Sequence, residues 1–221
     1  MSVVKICRWL SSIATLLVVV LPIATASFDF FKLSIQWPPA FKYPGFTPSP
    51  LNFTIHGLWP HNFTTTAPLP CKAQAPYTWV TGPLLGRLQK SWPNVRQGTQ
   101  LNQKFWEHEW DSHGGCSETT YNQMAYLTLA ADLNDKHNIL LSLRAANITR
   151  GASASLLAFE QAIKSHTTKW PELACRWDKP LRVLWEVRIC YDSSSLAIID
   201  CPLNQHPTIC STRWSGPIYF P

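Results

Sequence analysis

Two short segments concentrate residue types that can move protons. The first is Phe53-Thr54-Ile55-His56-Gly57-Leu58-Trp59-Pro60, and the second runs Phe105-Trp106-Glu107-His108-Glu109-Trp110-Asp111-Ser112-His113-Gly114-Gly115-Cys116. Imidazole titrates near neutral pH and can either accept or donate a proton there. Cleavage of RNA needs one base to take the 2′-hydroxyl proton and one acid to protonate the departing 5′-oxygen, a division of labour that suits two histidines. A strand carrying His56 and a helix carrying His113 would bring the pair to opposite sides of a phosphate, with His108 donating to its oxygens. On that helix His108 lies one turn from Ser112 and Glu109 one turn from His113, so Glu109 is placed to orient or charge-stabilise His113. The neighbouring aromatics offer faces on which bases stack. Each residue also has a plainer use: histidines are often surface or hydrogen-bonded core groups, and Trp59, Trp106 and Trp110 are of a type commonly found in cores.

A metal site does not fit the spacing. The zinc-protease pattern requires two histidines four apart with a glutamate beside the first. His108 and His113 are five apart and diverge by about 140° on a helix of 3.6 residues per turn. No metal is expected.

The elements that must carry these residues are short strands and longer helices. Phe30–Trp37, Phe53–Trp59, Arg182–Cys190 and Leu196–Ile199 are rich in strand formers; Pro38-Pro39, Pro60 and Pro202 are expected to stop three of them. Leu84–Trp92, Lys104–His113, Thr119–His137 and Ser153–His166 carry apolar residues at three- and four-residue intervals and predict helices. Gly114-Gly115 is expected to end the second of these through a left-handed glycine. Strands and helices do not alternate strictly, which predicts an α+β domain on an antiparallel sheet flanked by helices. No internal repeat or linker divides the chain.

Residues 1–26 read as a cleaved signal peptide: Lys5 and Arg8 precede an apolar run from Leu10 to Ile23 that ends in Ala24-Thr25-Ala26. The run is shorter than the ~20 residues of a membrane span, so a secreted, extracellular product with no membrane attachment is expected, as one domain over residues 27–221. An uncleaved anchor is the alternative. Of the formal net charge of +6, Lys5 and Arg8 carry two, leaving +4 on the remainder. Basic residues crowd between Ser27 and Lys104 (Lys32, Lys42, Lys72, Arg87, Lys90, Arg96, Lys104) against Asp29 alone, a bias that attracts a polyanion such as RNA or simply aids solubility. Beyond the leader stand Cys71, Cys116, Cys175, Cys190, Cys201 and Cys210; an even set on an exported chain implies three bridges, and spacing alone leaves 15 connectivities open. Sequons at Asn52, Asn62 and Asn147 agree with a secretory route.

His56-Gly57-Leu58-Trp59-Pro60 resembles the first active-site segment of the ribonuclease T2 family without change, and Phe105–Cys116 is similar to the second, in the same order. Agreement extends to the Gln36-Trp37-Pro38-Pro39 start, the Trp92-Pro93 region, the long helix after Cys116 and the C-terminal cysteines. The resemblance implies an antiparallel sheet with helices, no cofactor or metal, and RNA cleavage through a 2′,3′-cyclic phosphate. It implies His56 and His113 as the acid–base pair, His108 on the phosphate, Glu109 supporting the transition state, and Trp59 with Phe105 stacking a base. His61 stands where some members carry a base-selecting Asp. The implied bridges are Cys71–Cys116, Cys175–Cys210 and Cys190–Cys201.

Three departures stand out. No cysteine pair occurs in the Ala40–Pro50 region, Ser112 replaces a lysine expected beside the last histidine, and Gly115 replaces a threonine before Cys116. Within the family, the basic charge, the sequon at Asn52 and the Thr/Pro-rich Thr64–Pro83 stretch resemble the S-RNases of plant self-incompatibility. That resemblance implies a monomer recognised by pollen F-box proteins. A defence or phosphate-recycling ribonuclease, and a storage or binding protein on the same scaffold, are the alternatives.

Overall fold

The computed structural model describes residues 28–41, 51–65, 69–178, 180–202, 210 and 216–221. The expected leader, and most of the unbridged Ala40–Pro50 region, lie outside them. Among the described residues seven strands form one sheet: β1 (Phe30–Gln36), β2 (Thr54–His61), β3 (Ser153–Ala154), β4 (Glu172–Asp178), β5 (Leu181–Asp192), β6 (Ile198–Ile199) and β7 (Ile218–Tyr219). The α-helices described with it are α1 (Gly82–Ser91), α2 (Asn102–Ser112), α3 (Gln123–Asp135), α4 (Ile139–Ala145) and α5 (Leu156–Thr167).

The long strand β5 is the spine, pairing antiparallel with β1, β4 and β6. Its contact with β7 is parallel, so the sheet is mixed rather than wholly antiparallel. β2 closes one end of the order β2-β1-β5-β7-β3. Phe31, Leu33 and Ile35 of β1 alternate into the core, where they join Ile55 and Leu58 of β2, Trp106 and Trp110 of α2, and Tyr126, Leu127 and Ala130 of α3. The intervening residues Lys32, Ser34 and Gln36 are buried as well, so the opposite face of the sheet carries polar groups away from water.

Several boundaries differ from the expectation. β2 runs through Pro60, which pairs with Phe31, because an edge strand tolerates a residue that donates no ladder hydrogen bond. β4, β3 and β7 were not foreseen. The expected Thr119–His137 helix starts only at Gln123, where the Asn122 side chain accepts from the Ala125 amide. Asn138 caps the unforeseen α4 in the same way, through Leu141. Ser155 caps α5, which frees Ser153 and Ala154 to pair with β7. Gly114 and Gly115 do not adopt the left-handed conformation expected of them; they belong to a 3-10 turn, Gly114–Ser117. Their lack of a side chain is used for proximity. A Cβ on Gly114 would strike the Trp110 ring, and one on Gly115 the backbone of Lys72 and Ala73. The bridges Cys71–Cys116, Cys175–Cys210 and Cys190–Cys201 are all present. The first holds the turn after His113 against the loop where Gly115 makes that contact.

Candidate active site

His56 occupies an irregularity in β2. Ser34 lies opposite Gly57 and Ile35 opposite Ile55, so His56 has no counterpart on β1 and forms a bulge. A bulge re-aims side chains. Here it lets Ile55 and Leu58, three residues apart, both face the core while His56 turns toward a cleft. The outer edge of β2 is finished by aromatic donors: the Trp92 indole N–H donates to the His56 carbonyl at 2.8 Å and the Tyr126 hydroxyl to the Leu58 carbonyl at 2.5 Å. Trp106 in turn donates to the Trp92 carbonyl at 2.8 Å. These bonds satisfy carbonyls that have no further strand to pair with, and they fix the backbone that carries the histidine.

The cleft measures about 360 Å³ and is lined by Gln36, His56, Asn94, Val95, Arg96, Gln97, Lys104, Phe105, His108 and Glu109. Phe105 lies nearly parallel to the His56 ring, with centroids 6.1 Å apart. Glu109 is buried, accepts from the Trp59 indole at 3.0 Å, and stands 3.9 Å from Nε2 of His56. Gly57 permits that arrangement, since a Cβ there would collide with the Glu109 carboxylate and the Trp59 indole nitrogen. The other ring nitrogen of His56, Nδ1, lies 2.5 Å from Oε1 of Glu186 on β5. Arg188 donates to Glu186 through Nε and one terminal nitrogen, at 3.1 and 2.8 Å.

The two histidines of the expected pair have opposite environments. Burial alone would lower the His56 pKa, but attraction to Glu186, the hydrogen bond to it, and attraction to Glu109 outweigh burial and raise it. Burial, followed by repulsion from His56 and His108, lowers that of His113 to about 4. Burial also raises the Glu109 pKa against the pull of His56 and the Trp59 N–H. Glu186, equally buried, is held down to about 2, because His56 and Arg188 together overcome its desolvation. A pair of groups pushed apart in this way is how one site keeps an acid and a base ready at the same pH.

The structure thus gathers most of the residues singled out from sequence, with some in other positions than expected. Glu109 faces His56 and Trp59 rather than the His113 side chain; only its backbone carbonyl accepts from His113, at 3.0 Å. Trp59 is 8% exposed, with the His113 ring 5.4 Å from its own and the Arg188 guanidinium 5.3 Å away, so it forms a wall more than an open stacking face. His61 is outside the cleft: it is buried, stacks on Phe30 at 5.5 Å, and burial with Lys32, Arg188 and His113 nearby depresses its pKa to about 3. Ser112 sits beside His108, Oγ to Nδ1 3.5 Å. Lys104 lines the cleft but is engaged by Glu107 at 2.7 Å. Asn52 and Asn147 are exposed and Asn62 is half-buried. Glu186, Arg188 and, apart from the charge of Arg96, the Asn94–Gln97 wall of the cleft were not singled out from sequence. For the first two the available signal was their spacing of two on a strand, which puts both on one face.

A helix-flanked mixed sheet that sets His56 and His108 on one cleft, with the oppositely tuned His113 beside Trp59, is the framework of a ribonuclease. The chain belongs to the Ribonuclease T2 family, whose model matches residues 28–201. It is 37% identical over 202 residues to Ribonuclease S-6 of Nicotiana alata, covering 88% of this chain and 90% of that one. With Ribonuclease 1 of Arabidopsis thaliana it shares 35% identity over 193 residues, 83% and 84% of the two chains. Among solved structures, the SF11-RNase of Nicotiana alata, described as associated with gametophytic self-incompatibility, superposes with a TM-score of 0.78 at 30% identity. That match covers 88% of this chain and 99% of the other.

Proposed function

We propose that this protein is an exported endoribonuclease that cleaves single-stranded RNA by transesterification, with His113 as base and His56 as acid. His113 takes the 2′-hydroxyl proton, the 2′-oxygen attacks phosphorus, the bond to O5′ breaks, and His56 delivers a proton to the leaving oxygen. The products are a 2′,3′-cyclic phosphate and a free 5′-hydroxyl. The observation that carries this reading is the opposite tuning of the two histidines, His56 in the cleft and His113 with its ring 5.4 Å from that of Trp59 and near enough to His56 to feel its charge. In this reading His108 and Arg96, which line the cleft, hold phosphate oxygens, and Phe105 stacks a base. Both proton transfers are assigned to imidazoles, so cleavage is expected to continue in EDTA. The test is digestion of a dinucleotide with the chelator present, followed by mass spectrometry. A cyclic phosphate supports the reading; no cleavage, or cleavage that yields a 5′-phosphate, overturns it.

In biological terms the reading is a pistil S-RNase recognised by pollen F-box proteins. Similarity to Nicotiana alata S-RNases supports it, as does the exposure of Thr64, Thr65, Lys72, Gln74–Pro76 and Trp79 in the Thr64–Pro83 stretch. The similarity to Ribonuclease 1 of Arabidopsis thaliana favours a second reading, a defence or phosphate-recycling enzyme. Style-restricted transcripts that vary between plants support the first. Induction in leaves by wounding or phosphate starvation supports the second.

A further inference from the structure

Behind His56 lies a run of charged side chains that the reaction scheme does not use. Glu186 on β5 contacts His56 Nδ1 at 2.5 Å and is gripped by Arg188, two residues along the same strand. The same Arg188 reaches Glu172 on β4 at 2.7 Å, and Glu172 accepts from Lys32 on β1 at 3.0 Å. Signs alternate along the row, and none of Lys32, Glu172, Glu186 and Arg188 exceeds 7% exposure. Buried ion pairs are poor sources of stability, since desolvation offsets most of the attraction. A row of this kind that ends on a reactive group has another use. An ionised carboxylate can only accept, so Nδ1 must donate to Glu186, and Nε2 is left as the nitrogen directed away from the sheet. Glu109 lies 3.9 Å from that Nε2.

Resting on the assignment of His56 as the acid, we propose that Glu186, clamped by Arg188, is the positioning residue of His56. It fixes the ring and its tautomer so that Nε2 carries the proton delivered to the leaving oxygen. Arg188 has two effects in this arrangement. It holds the Glu186 carboxylate in place, and its own charge opposes that of the imidazolium. The arrangement resembles the carboxylate behind the histidine of a serine protease, where the acid orients the imidazole without itself taking the proton. Other charged groups also act on His56: Glu109 on α2, and His113 just after α2, whose own pKa His56 lowers; Lys104 and Arg96 share its cleft. None of these occupies Nδ1.

The test uses the whole oxidised protein, with two readouts: NMR titration of the His56 imidazole, and the pH profile of kcat/KM on a dinucleotide. Glu186→Gln keeps an acceptor for Nδ1 but removes the charge. His56 should then titrate at lower pH and the alkaline limb should move toward acid, while the acidic limb stays. Each unit of movement lowers activity on that limb about tenfold, in kcat more than in KM. Arg188→Met removes the opposing charge and should move the same limb the other way. Opposite displacement by two neighbouring substitutions is not what loosened packing would produce. An unchanged His56 titration in Glu186→Gln, or displacement in the same direction by both variants, overturns the proposal. Should Glu186→Gln not fold, the double variant Glu186→Gln/Arg188→Met leaves no unpaired charge between the two positions and must still show the lowered titration. If the wild type cleaves no RNA, the functional reading fails by itself, and the NMR titration still decides whether Glu186 governs His56.

Discussion

Replacing Ser112 by lysine should make this enzyme faster. Ser112 is the last residue of α2, and its hydroxyl lies 3.5 Å from Nδ1 of His108, beside the site assigned to phosphate. The magnitude follows from taking a separation of about 6 Å between a lysine ammonium at this position and the phosphorus, where an extra negative charge develops as the 2′-oxygen attacks. His108 is exposed and Ser112 half-buried, so an effective dielectric of about 20–40 applies. Coulomb's law then gives about 1–3 kcal/mol of additional transition-state stabilisation, or roughly ten- to hundredfold in rate. Neither cation now in the cleft lies on the turn of α2 that carries His108 and Ser112: Lys104 is engaged by Glu107, and Arg96 belongs to the Asn94–Gln97 segment. The added cation also sits at a helix C-terminus, where the dipole favours it. Steady-state kinetics of wild type and Ser112→Lys on one dinucleotide at several pH values is the assay. The turnover number should rise with little change in KM, and base preference should stay as it is. Equal or lower turnover in a folded variant would refute the electrostatic reasoning and show that the site works around a neutral residue.

Activity should follow a bell-shaped pH profile. His113 must be free of its proton, so the rate should rise as pH passes about 4; His56 must keep its proton, so the rate should fall only above the ordinary histidine value of 6.5. A falling limb below 6.5 in kcat/KM would contradict the raised His56. His56→Asn and His113→Asn should each reduce kcat by ~10²–10⁴-fold with an unchanged circular dichroism spectrum, and near-normal turnover in either would remove that residue from the mechanism. Gly57→Ala should part the Glu109 carboxylate from the Trp59 indole, costing about 1–3 kcal/mol of stability along with activity. A melting temperature equal to wild type would show that the carboxylate has room to move.

The readable part of the site was the part written in residue type and local spacing. His56, His108, Glu109 and Phe105 all reach the cleft, and strands β1, β2 and β5 fall where strand formers cluster. What local spacing could not supply was orientation. Glu109 is one helical turn from His113, yet it turns to His56, because Trp59 on a neighbouring strand offers a donor and Gly57 leaves room. His61 adjoins the first segment, but it lies at the far end of β2, opposite Phe30 and stacked on it, which leaves it outside the cleft. Glu186 is 130 positions from His56 and belongs to no motif, so only sheet register reveals the pairing. β4 was missed because Glu172, Arg176 and Asp178 interrupt its apolar pattern, and Glu172 is buried through its bonds to Lys32 and Arg188. Pro60 misled because a strand's tolerance of proline depends on whether it lies at an edge.

The aromatic groups that finish the edge of β2 also bear on how the protein behaves at high concentration. An edge strand whose carbonyls face solvent is a template for another molecule's strand, and such pairing leads to polymers. At His56 and Leu58 those acceptors are already taken by Trp92 and Tyr126. The side chains that hold the His56 backbone in place therefore also deny a docking edge to other copies of the chain. Loss of either one would be felt twice, as a loose histidine and as a sticky strand, and selection for activity would at the same time be selection against aggregation.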